Sequence, residues 1–174
     1  LRSRCELVVS VLAACQDASA DGYLSAFPQS EFATVEDFKS RAPWVPYYVI
    51  HKLLSGLLAT HELLGSRQAL EVAVKLAVHI KGRVHKLLAK GIDTWHDFIN
   101  QEVGGMSEAL TDLGRITRNS SWVQLAALFE LAQLGIEEPL LFLECRLLLH
   151  REIGRRLGRQ LALRLLPAGV LRGT

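Results

Sequence analysis

Apolar residues recur three and four positions apart along most of this chain, a recurrence that predicts helices joined by short polar turns. Leu7, Val8, Val11, Leu12 and Cys15 mark a helix over residues 4–16. From Tyr47 to Leu64, the residues Ile50, Leu53, Leu54, Leu57, Leu58 and Leu64 form a wide apolar face. Gly65-Ser66 ends that helix and caps the next one. The next helix spans about 67–90 and gathers Leu70, Ala73, Leu76, Ala77, Ile80, Val84 and Leu87 on one side. Its other side is charged, with Glu71 and Lys75 spaced for a surface pair. Two such helices with a short connection make an antiparallel hairpin.

A second hairpin follows. Met106 to Ile116 reads as a helix, Asn119-Ser120-Ser121 breaks it, and Ser121 with Gln124 suits a capping box before a helix at 122–134. Its turn lies about 53 residues after the first, matching Arg118 to Gly65 and Ala126 to Ala73. Hairpins recurring at that interval suit an α/α toroid or a helical solenoid, and periodicity alone does not separate the two. Asp21-Gly22 is a turn signal, and 22–46 reads as a packed loop rich in aromatics. A polar-aromatic loop with Trp95, His96 and Phe98 follows Gly91.

The character changes after residue 134. No aspartate follows Asp112, while Arg146, Arg151, Arg155, Arg156, Arg159 and Arg164 flank a leucine-rich stripe through Leu149, Ile153, Leu157, Leu161 and Leu165. The expected organisation is therefore a domain segment over 1–134 and an amphipathic helical tail over 135–174. The 174 residues are 49% hydrophobic and 22% charged, a globular composition, and the net charge of +2 gives no argument for nucleic acid. No run of about 18 uncharged apolar residues occurs, so no transmembrane segment is expected. Cys5, Cys15 and Cys145 form no metal-binding or disulfide pattern.

Candidate chemistry concentrates in Trp44-Val-Pro-Tyr-Tyr-Val-Ile-His51-Lys, where Pro46 suits a first helical turn and places Tyr48 and His51 near a mouth. Neutral imidazole offers one donor and one acceptor, which suits a sugar hydroxyl; the alternative is a histidine satisfied inside a packing face. Gln101-Glu-Val-Gly-Gly-Met-Ser-Glu108 puts a carboxylate on each side of a glycine pair, for close backbone approach to a ligand or a tight helix entry. Glu108 falls in a first helical turn, where a negative charge is also favourable on dipole grounds.

With Asp21-Gly-Tyr-Leu-Ser-Ala-Phe-Pro28, these segments resemble the β-L-arabinofuranosidase-like glycoside hydrolases (glycoside hydrolase family 127) over roughly residues 5–130. The resemblance implies an all-α domain of helical hairpins forming an incomplete (α/α) toroid. It also implies a glycan or oligosaccharide substrate, with His51, Tyr48 and Glu108 as substrate-binding residues. Ser107 stands where the family usually has Asn, which shortens the reach there. The family's catalytic cysteine on zinc and its catalytic glutamates match no residue here, so no catalytic or metal-binding residue carries over, and the zinc is expected on residues absent from this chain. The chain accordingly reads as a fragment supplying part of a sugar-binding wall, inactive by itself. A sugar isomerase or epimerase toroid and a non-enzymatic helical-repeat scaffold are the alternatives.

Other signals are weaker. Glu102 and Glu108 are not taken as a glycosidase acid and nucleophile, because that chemistry needs a carboxyl separation of about 5–10 Å that spacing across a glycine loop does not establish. His79 and His85 are off the spacing that converges on one helix face, and His61 reads as a surface or interhelix residue. Asn119-Ser120-Ser121 fits an N-glycosylation pattern in a turn.

Overall fold

The structure is a computed structural model that describes residues 1–38, 46–101 and 104–133. Among the described residues the chain is entirely helical. In order it forms α1 (Arg2–Asp17), α2 (Gln29–Glu36), α3 (Pro46–Leu64), α4 (Arg67–Lys90), α5 (Ile92–Gln101), α6 (Met106–Thr117) and α7 (Ser120–Gln133). The all-α class and the two hairpins, α3 with α4 and α6 with α7, stand as the periodicity predicts. No described helix is long and apolar enough to cross a membrane. The expected tail at 135–174 lies outside the described residues.

The two hairpin turns share one construction. Gly65 and Arg118 each adopt the left-handed conformation, at φ 71° and 53°, and each is followed by a capping residue. Ser66 Oγ accepts from the Ala69 N–H at 3.2 Å, and Asn119 Oδ1 accepts from the Ser121 N–H at 3.0 Å. The second cap is therefore Asn119 rather than the expected Ser121, which lies inside α7. Glycine adopts this backbone freely, whereas Arg118 does so against its Cβ. Ala73 and Ala126, matched between the hairpins, are both buried, as are Leu76 and Phe129, which lie three residues farther along each helix.

Helices α3 and α6 run side by side in the same direction. Their starts meet at His51 and Gly104, and farther along Arg115 binds Glu62 at 2.6 Å. Their amino-terminal ends therefore form one rim. The chain from Gln16 to Asp37 follows α4 towards the same end. Gln16 donates to the Val72 carbonyl, Lys75 pairs with Asp17, and Lys90 pairs with Asp37. Lys75 thus turns to α1 instead of the expected Glu71.

Two readings of the pattern are corrected. The stretch 22–46 contains α2, which buries Phe32 and Val35 three apart. The stretch after Gly91 is α5, with Trp95, Phe98 and Ile99 buried at helical spacing. The helix predicted over 4–16 stands as α1; its buried face is Val9, Ala13 and Gln16, while Leu7, Val8, Val11 and Cys15 of the periodic set are exposed. An open groove of about 320 Å³, lined by Cys5, Val8, Leu12, Leu53, Leu57 and Thr60 among others, runs between α1 and α3.

A continuous file of rings underlies the rim. It runs from Tyr23 through Phe32, Tyr47, Phe98 and Trp95 to Phe129, with successive centroids 4.9–5.7 Å apart. Four of these five contacts are edge-to-face and Trp95–Phe98 is tilted, arrangements that add to the area that each ring buries. Trp95 Nε1 also donates to the Leu128 carbonyl at 3.3 Å. The file links the loop after α1 to α2, α3, α5 and α7, and fixes the floor beneath the start of α3.

Candidate functional site

The rim brings together the three residues singled out for sugar contact. His51 lies one turn into α3, with its ring 4.7 Å from that of Tyr48 and nearly perpendicular to it. Tyr48 is 42% exposed, with the Lys52 ammonium 5.3 Å from its ring centroid. Glu108 is exposed in the first turn of α6, where the helix dipole favours a carboxylate. Glu102 and Trp44 fall outside the described residues.

His51 itself is only 4% exposed. The backbone of Gly104 and Gly105 covers it. A Cβ at position 104 would stand 2.8 Å from His51 Nδ1, and one at 105 would stand 3.2 Å from Nε2 and 3.7 Å from a Glu108 carboxylate oxygen. The glycine pair, read from sequence as a ligand approach or a helix entry, thus admits the imidazole of the neighbouring hairpin.

Two properties of that imidazole bear on chemistry. Its Nδ1 is buried with no hydrogen-bond partner among the described residues. Its pKa lies below the ordinary histidine value, chiefly because burial disfavours the charged ring and secondarily because Lys52 is near. The Tyr48 backbone and the Glu108 carboxylate oppose the shift without reversing it. Near neutral pH the ring is therefore neutral, with one donor and one acceptor.

A second polar cluster lies behind the rim and was not legible in the sequence. The Glu36 carboxylate, at the end of α2, accepts from Arg83 Nε at 2.6 Å and Nη2 at 3.0 Å, and from Tyr47 Oη at 2.5 Å. The Arg83 guanidinium lies 5.3 Å from the centre of the Phe32 ring. A third cluster joins buried His79 to Asp21, and Gln16 to the Gly22 and Val72 carbonyls.

The zinc implied by the resemblance does not fit the described residues. No three histidine, cysteine, aspartate or glutamate side chains among them are grouped to hold a metal ion, and Cys5 and Cys15 are free thiols on α1. Cys145 lies outside the described residues. No chemical step is therefore derived through a metal here.

A family model described as β-L-arabinofuranosidase, GH127 catalytic domain, matches residues 1–137. No curated protein and no solved structure matches the chain. The match spans all three rim segments and every described helix.

Proposed function

This chain belongs to the β-L-arabinofuranosidase GH127 catalytic-domain family and is glycoside-hydrolase-like; we propose that its rim forms part of the wall that holds a furanoside sugar. The observation that carries this reading is the buried Nδ1 of His51, which has no hydrogen-bond partner among the described residues. A buried polar atom without a partner costs about 1–3 kcal/mol, and a sugar hydroxyl that reached it would recover that cost. Binding through Nδ1 needs the Gly104–Gly105 backbone to move aside, and glycine is the residue that permits such movement. Tyr48 offers a ring face for the apolar side of a sugar, and Glu108 offers a strong acceptor for hydroxyls.

Bond cleavage belongs to other groups. His51, neutral and buried, is a recognition residue, and no pair of described carboxylates is assigned as acid and nucleophile. The zinc-bound thiolate that the family resemblance implies would be supplied by residues outside those described, and the described rim contributes recognition.

Saturation-transfer NMR with methyl β-L-arabinofuranoside tests the reading on the chain as it stands. Transfer to the sugar is expected from the native chain and is expected to vanish in His51→Ala. No transfer from the native chain at millimolar sugar would sink the proposal.

A further inference from the structure

We propose that Glu36 and Arg83 are positioning residues for His51, acting through Tyr47. The inference rests on the rim being the sugar wall, but its physical basis is independent of any ligand.

Tyr47 and His51 are four residues apart, so they share one face of α3. Whatever sets the rotation of the first turn of α3 therefore sets the imidazole as well. Tyr47 is 4% exposed, and its ring is held by Phe32 at 5.2 Å and Phe98 at 4.9 Å. Its phenol pKa is raised well above the ordinary value, first by burial and then by the Glu36 charge. The hydroxyl consequently keeps its proton and donates to Glu36.

Glu36 in turn is held by the two-point fork of Arg83, which constrains its carboxylate in plane as well as in distance. The two side chains are 14% and 13% exposed. An ion pair this deep gains little net stability over an apolar pair of the same shape, because desolvation offsets most of its attraction. What it supplies is direction. The three groups join α2, α3 and α4 at one carboxylate directly behind the rim.

The front of the rim has little slack. His51 already sits 2.8 Å from where a Cβ of residue 104 would be, so a small rotation of α3 either drives the ring into the Gly104 backbone or opens a gap there. The Glu36–Arg83 fork removes that rotation. Its effect on sugar recognition is transmitted through His51, since neither side chain belongs to the rim.

Residue-resolved modification of histidines by diethyl pyrocarbonate, read by peptide mass spectrometry, tests this on the intact chain. Tyr47→Phe removes the hydrogen bond and keeps the ring; Arg83→Lys keeps the charge and loses the fork. In both, His51 is expected to react about threefold faster as its cover loosens locally, while His61 at the far end of α3 keeps its native rate. An unchanged His51 rate in both variants would overturn the proposal. So would a parallel rise at His61, because general loosening is what a purely structural staple produces. Glu36→Gln strands the Arg83 charge; should that variant fail to fold, the two milder ones decide. A sugar that gives no saturation transfer, beside a selective His51 response, would remove the sugar reading and leave the positioning role standing.

Discussion

The imidazole of His79 lies with Nδ1 3.3 Å from an Asp21 carboxylate oxygen, yet it is uncharged near neutral pH. Burial lowers its pKa more than Asp21 raises it, and Arg83 adds to the lowering. The contact is thus the approach of a neutral ring to a carboxylate rather than an ion pair. Asp21, which also accepts from Ser19, Gln29 and the Tyr23 N–H, is held down to about 2, first by the Ser19 hydroxyl.

A pH dependence follows with a definite sign. His51 and His79 both have folded pKa values below 6.5, so below that pH the unfolded chain takes up protons that the folded chain refuses. Their contribution is complete above pH 6.5 and declines as pH falls towards the folded values. Denaturant melts between about pH 7 and pH 5 should show falling stability, and His79→Gln together with His51→Gln should flatten that decline. The Asp21 contribution is lost only between pH 3.8 and about 2.

Gly104→Ala should destabilise the chain by about 1–3 kcal/mol, because its methyl meets His51 Nδ1 inside hard contact. Adding His51→Ala should return most of the loss, a coupling that a double-mutant cycle measures directly. Additive losses would show that the clash is with something else.

Asn119→Ala should cost about 1 kcal/mol by leaving the Ser121 N–H uncapped, while Asn119→Asp should keep the cap. Thermal melts of the two variants check this. Equal losses would mean that the amide's remaining atoms, rather than Oδ1, support the turn.

On the proposed sugar reading, His51→Ala should weaken binding of methyl β-L-arabinofuranoside by about five- to 150-fold, the equivalent of about 1–3 kcal/mol. The helical circular dichroism should be retained. If the helical signal collapsed as well, His51 would be a packing residue, and its orphan nitrogen would have no bearing on the sugar.

Sequence pattern disclosed the long helices because each offers a single apolar face of several turns, as with Leu70 to Leu87 in α4. It concealed α2 and α5, whose 8 and 10 residues show only three and four apolar positions, among aromatics that suit a loop equally well. It left the inner face of α1 open because Leu7, Val8 and Val11 make as good a stripe as Val9 and Ala13. Only contact with α3 and α4 chooses between them. The rim residues were legible one by one from local context. The fit of His51 against Gly104, and the meeting of Glu36, Tyr47 and Arg83, join positions far apart in the chain and leave no local trace.

The two-sided apolar character of α1 has a consequence for every measurement above. Leu7, Val8 and Val11 stand in water at 53–64% exposure, flanking the groove towards α3. Copies of the chain are expected to associate through this face, in which case the melting temperature becomes a function of dilution. Stability is properly reported as a series in protein concentration, and a polar substitution such as Val11→Gln should bring that series towards a flat line.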